Sequence, residues 1–261
     1  MDFLGAFAVL DPAGTIALAE RSLMVQAVFF MLIVAVPVYF LIFFFARWYR
    51  AGNTKAKYLP NWEHAKVDEL IWWAIPFEIV LVLGALTWFS THELDPRKPL
   101  ATSHSPLVVQ VIALEWKWLF IYPEEDIASV NYVRFPLNKP VQFKITADAP
   151  MNSFWIPELG GQIYAMTGMV TTLNLMANEE GRFVGMSANY SGVGFAQMRF
   201  VAEAVHQEKY DAWVEEVKTS SSTLRWGAYN TLATPSVANQ PAQYGSVELG
   251  LFDSIIMKFI H

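Results

Sequence analysis

Three rhythms of hydrophobic and polar residues follow one another along this chain. Residues 22–46, between Arg21 and Arg47, read SLMVQAVFFMLIVAVPVYFLIFFFA without a charge, and about 20 such residues in helical form cross a bilayer core. Residues 69–91 hold a second apolar run, LIWWAIPFEIVLVLGALTWFST after Glu69, with Glu78 its one charged residue. Its Trp72, Trp73 and Trp88 fall near the two ends, where aromatic rings suit the membrane interfaces. Two transmembrane helices are therefore predicted, and Pro37 and Pro76 mark candidate kinks that membrane helices tolerate.

Beyond a polar, proline-bearing linker at 92–106 the rhythm shortens. Val141, Phe143 and Ile145 alternate with Gln142, Lys144 and Thr146, the period of a half-buried strand. Similar runs at 107–114, 153–157, 170–177, 183–188 and 198–205 bring the expectation to about seven short strands, a β-sandwich or barrel over 107–205. Residues 207–218 then show helical spacing, with Tyr210, Trp213, Val214 and Val217 on one face. The rest of 206–261 is aromatic-rich and ends in a helical pattern from Leu251 to Ile260. It is too short for a core of its own, so it should pack on the β-domain or on a partner. No internal repeat or low-complexity segment interrupts this order.

Charge orients the hairpin. The 47–68 loop carries Arg47, Arg50, Lys55, Lys57 and Lys66, while residues 1–21 have only acidic side chains before Arg21. By the positive-inside bias the loop is cytoplasmic, and both termini and the large domain lie outside. The start, MDFLGAFAVLDPAG, has no basic n-region. Either an export signal was removed upstream or the first helix directs export, and both readings stay open.

Of the 261 residues 54% are hydrophobic and 16% charged, which is apolar for a wholly soluble chain. A net charge of -6 without a basic cluster argues against nucleic acid. Cysteine is absent, which removes disulfides, Cys-ligated zinc, iron–sulfur clusters and copper–thiolate centres. The histidines, His64, His92, His104, His206 and His261, show no metal-ligand spacing and read as surface or interface groups. Asn189-Tyr190-Ser191 has the form of a glycosylation acceptor, and Gly192-Val-Gly194 is a turn signal only.

Particular segments then carry a resemblance. ALEWKWLFIYPE, MNSFWIPELGGQIYAMTGM and GRFVGMSANYSGVGFAQMRF resemble the aromatic segment, the strand and turn, and the copper loop of the second subunit of haem-copper oxidases. LDPAG, KYLPNW and the aromatic-rich C-terminus resemble its quinol oxidase branch, the cytochrome bo3-type enzymes. The resemblance implies a two-helix membrane hairpin followed by an extracytoplasmic cupredoxin-like β-sandwich and a short helical, aromatic-rich segment. In copper-bearing relatives that sandwich holds a dinuclear copper centre. Here the first histidine position falls on Asn152, the cysteines on Ser187 and Ser191, the carbonyl donor on Asn189 and the second histidine on Phe195. Only the methionine, Met198, remains. Such copper needs bridging thiolates, which serine hydroxyls cannot replace, so no metal is expected. Bacterial members often carry a lipidated cysteine before LDP, and this chain has none.

The same resemblance implies a non-redox subunit of a proton-pumping terminal ubiquinol oxidase in a bacterial inner membrane, with no catalytic centre of its own. Its partners would be the catalytic subunit I, which holds the haems and copper and uses ubiquinol, together with subunits III and IV and lipid. Glu69 falls where the family places a carboxylate for proton uptake, with Asp68 an ordinary helix-start acid beside it. Glu78 is not expected from the family. An acid so deep in a membrane helix serves either a partner contact or a proton or quinone role. Trp116 sits where relatives accept electrons, but with no acceptor behind it Trp116 and Trp118 are expected to pack. The competing readings are a freestanding membrane-anchored binding module on a cupredoxin scaffold and a copper-bearing cytochrome c oxidase subunit, the latter opposed by the missing cysteines.

Overall fold

The computed structural model describes residues 8–57, 60, 63, 65–102, 105–237 and 240–260. His64, His104, His261 and most of KYLPNW lie outside the described residues. The chain divides into two compact units, one made of residues 22–95 and the other of the described residues up to Arg21 and from Pro96 onward.

The first unit is helical. Helix α1 spans Thr15–Trp48 and α2 spans Lys66–Glu93. Both are long and apolar enough to cross a membrane, and the most apolar stretch of neither is buried within the chain. The first helix thus starts seven residues before the predicted 22, where the N–H groups of Thr15 and Ala17 donate to the Met176 and Leu159 carbonyls of the β-rich unit. Helix α2 likewise runs past 91 into the predicted linker.

The second unit is a sandwich. Its strands are β1 (Leu107–Leu114), β2 (Lys117–Tyr122), β3 (Ile127–Val130), β4 (Tyr132–Pro136), β5 (Val141–Ala147), β6 (Asn152–Trp155), β7 (Ile163–Ala165), β8 (Thr171–Leu175), β9 (Gly181–Ser187) and β10 (Arg199–Val205). Helix α3 (Gln207–Lys218), β11 (Thr223–Leu224), α4 (Trp226–Ala233), β12 (Ala242–Tyr244), β13 (Ser246–Val247) and α5 (Leu251–Met257) complete it. One sheet has the order β12-β3-β2-β1-β5-β8 and the other β4-β10-β9-β6-β7. The expectation of about seven strands is too low. Strands such as β3 and β7 are too short to show a period, and β12 comes from a segment read as helical.

The inner faces meet in an aromatic core. Phe154 and Phe200 stack with ring centres 5.1 Å apart, and Trp118 meets Phe154 edge-on at 5.3 Å. Helix α3 closes one end with the face foreseen from spacing, Tyr210, Trp213, Val214 and Val217 all being buried. A second core lies on the outer face of the six-stranded sheet, where Ile112, Leu119 and Ile121 pack against Tyr229, Leu251 and Phe252. The aromatic-rich C-terminus therefore packs on the β-domain, and β2 is buried at every position.

Candidate functional site

Strand pairing assembles the loop that resembles a copper loop. β6 lies antiparallel to β9 with Phe154 opposite Ser187, which brings the start of β6 beside the end of β9. Ser187 Oγ lies 2.8 Å from Asn152 Oδ1 and 3.2 Å from the Asn189 carbonyl. Asn152 Nδ2 donates to the Pro150 carbonyl at 2.6 Å, which leaves its oxygen to accept from Ser187. Asn189 Nδ2 donates to the Met151 carbonyl at 3.0 Å, and the Ser187 N–H donates to the Met198 carbonyl at 3.1 Å. Asn152, Ser187, Asn189 and Met198 are thus gathered, with Asn152, Ser187 and the Met198 side chain buried. Phe195 instead turns its ring to Tyr190, 5.7 Å away, and Ser191 Oγ is buried with no partner among the described residues.

Trp116 closes the loop from above. It sits in the turn between β1 and β2 with a left-handed φ of 62°, and its indole N–H donates to the Ser191 carbonyl at 3.1 Å. Gly194 lies so close beneath the indole that a Cβ there would overlap ring carbons of Trp116. Gly192, at φ 109°, takes a turn that favours glycine.

An amide, two hydroxyls and a phenyl ring supply no thiolate bridge, and the side chains of Asn152, Ser187 and Asn189 are engaged with one another or with nearby carbonyls. This donor set does not fit a paired copper centre, since one thioether cannot hold it alone.

The candidate acids of the hairpin stand apart from this loop in sequence. Glu69 is in the first turn of α2 with Asp68, and both Glu69 and Glu78 are exposed in the chain.

Residues 125–205 match the family described as the cytochrome c oxidase subunit II periplasmic domain, and 218–261 match the cytochrome oxidase aromatic-rich motif. A cytochrome bo(3) ubiquinol oxidase subunit 2 of Pseudomonas aeruginosa is 47% identical over 97% of this chain and 76% of its own length. This chain belongs to the ubiquinol oxidase subunit 2 family. The Pseudomonas putida member is 49% identical over 96% of this chain and 80% of its own length. The solved periplasmic domain of cytochrome oxidase subunit II from Bradyrhizobium japonicum aligns with 43% of this chain and 94% of its own, at 22% identity and a TM-score of 0.41.

Within this family member the structure adds groups that sequence reasoning missed. Lys117, on a wholly buried strand, donates to the carbonyls of Leu232 (2.7 Å) and Thr234 (2.8 Å) and to Ser236 Oγ. Burial lowers its pKa, against the opposing pull of Glu115. Asp148 accepts from Tyr229 at 2.6 Å and pairs with Lys258 at 2.8 Å. Glu203 on β10 stands opposite Arg134 on β4 and Arg182 on β9. Burial opposes its ionisation, but hydrogen bonds from Tyr132, Arg182 and Arg134 hold the carboxyl down at about 2. One signal was available for Lys117, a charge amid the apolar run WKWLFIY. The carboxylate partners lie 21 or more residues away in sequence and left none.

Proposed function

We propose that this chain is the non-redox second subunit of a proton-pumping ubiquinol oxidase in a bacterial inner membrane. It supports a catalytic subunit I that holds the haems and copper, oxidises ubiquinol and reduces dioxygen to water. The observation that carries the reading is the hydrogen-bonded Asn152–Ser187 pair where a copper-bearing relative would need a ligand and a bridging thiolate. Quinol delivers electrons from within the bilayer, so no relay on the exported side is required. The names of the relatives and the two apolar helices support the same reading.

The basic 47–68 loop orients the hairpin with its turn in the cytoplasm. Glu69 then sits at the cytoplasmic end of α2, where it serves proton uptake into subunit I. Purification of the intact complex tests the main reading. Haem-bearing subunits should co-purify, ubiquinol should support turnover, and reduced cytochrome c should not. A thiolate-type copper spectrum from this subunit, or direct oxidation of cytochrome c, overturns it. Glu69→Ala should slow quinol-driven turnover several-fold with the complex still assembled, and unchanged proton-coupled turnover removes the proton-uptake role.

A further inference from the structure

Helix α2 has two different sides. Glu78 follows Glu69 by nine residues in one continuous helix, which is about 2.5 turns, so the two carboxylates point to opposite faces some 13 Å apart along the axis. On the Glu69 side lies a groove whose lining includes the small Gly84, Thr87 and Thr91 together with the larger Trp88 and His92. Small residues of this kind let a neighbouring membrane helix approach closely. Between Ile71 and Phe89 the Glu78 side presents Ile71, Ala74, Ile75, Leu81, Val82 and Ala85 with the carboxyl as its one polar group, and His92 joins this face only near the helix end.

Among the described residues Glu78 has no hydrogen-bond or ion-pair partner. On α1 the polar side chain nearest in depth, counted inward from Arg47, is Tyr39, and the two are not bonded. A carboxyl at this depth is too costly to leave facing hydrocarbon and needs a matching group. If the Glu69 side faces the subunit that receives its protons, that group comes from a different neighbour.

We propose that the Glu78 face of α2 docks a transmembrane helix of a second neighbouring subunit, one that presents a basic or hydrogen-bond-donating side chain at the depth of Glu78. Helix α2 is then held between two partners, with the groove side serving the first and the carboxyl side the second. The proposal rests on the reading of this chain as an oxidase subunit.

The test compares complexes carrying wild-type chain, Glu78→Gln and Glu78→Leu after detergent purification, with subunit stoichiometry read by mass spectrometry. Glutamine keeps hydrogen bonding and should retain every subunit, whereas leucine should leave one non-haem subunit at least roughly tenfold depleted, equivalent to about 1.4 kcal/mol of lost docking. Full retention in the leucine variant overturns the proposal. A second measurement needs no variant: carbodiimide should label Glu78 in the wild-type complex only after the subunits are dissociated. Equal labelling in the intact complex means the face meets lipid and also overturns it. Failure of the wild-type chain to co-purify with haem-bearing subunits would instead remove the underlying reading, and this proposal with it.

Discussion

Gly194 shows how a single residue decides the shape of the loop after β9. Its backbone lies against the face of Trp116, whose N–H holds the Ser191 carbonyl. To make room, either the indole must break its bond to the Ser191 carbonyl or the loop must pull away from its anchors at Ser187 and Asn189. Gly194→Val should therefore cost about 1–3 kcal/mol, the range for overpacked sites, with Trp116 displaced into solvent. A lowered melting temperature together with a red shift in tryptophan emission checks this, and an unchanged melt would mean the loop gives way freely. Serine at 187 has a comparable local logic. A hydroxyl both fits the buried space beside Asn152 and satisfies its amide oxygen, so the pair stands without a metal.

Strand pairing sets the next scale. Glu203 links three neighbouring strands, since it meets Arg134 across one ladder and Arg182 across the other, with the Tyr132 hydroxyl completing the set. Its carboxyl is held at about 2, below the ordinary glutamate range. The folded state therefore favours the charged form. The stability this contributes is complete above the unfolded pKa and is lost as pH falls through that range towards about 2. Thermal melts between neutral and acidic pH should show this decline, and Glu203→Gln should lower stability at neutral pH while flattening the acid slope. An acid slope identical in the two proteins would assign the effect elsewhere. Helix α3 was legible before the structure because its buried side repeats with helical period. β2 was harder to interpret, since both its faces are covered and no alternation survives. The C-terminal elements were least legible. β12 is recognisable as a strand only by its pairing with β3, and α4 is fixed by carbonyls that reach Lys117.

At the level of the whole molecule, the β-rich unit begins before the membrane hairpin and resumes after it. The N–H groups of Ala13 and Gly14 donate to the Glu158 carbonyl at 2.8 and 3.1 Å, and Thr15 Oγ1 donates to Asn178 at 2.8 Å. A Cβ on Gly14 would come within 2.7 Å of the Leu159 carbonyl oxygen. Backbone cannot move aside as a side chain can, so Gly14→Val should expel this strap and lower the melting temperature of the β-rich unit by several degrees. Increased proteolysis before Thr15 would accompany the change, and full protection would show that the strap tolerates a side chain. LDPAG was first a family likeness, and in the structure its Ala13 and Gly14 are tied to the sandwich by backbone bonds to Glu158 and Asn178 and a single bridge to Ala177.

Sequence alone settled what depends on composition and short-range period. Twenty or more uncharged apolar residues call for lipid, alternating residues make strands, and a chain without cysteine has no thiolate to offer copper. Tertiary structure decided what depends on residues far apart meeting. It joined Asn152 to Ser187, laid Trp116 over Gly194, and turned the C-terminal aromatics onto the outer sheet face. The physical reason is that periodicity records which side of an element is buried, whereas the identity of the neighbour on that side is set by packing between elements.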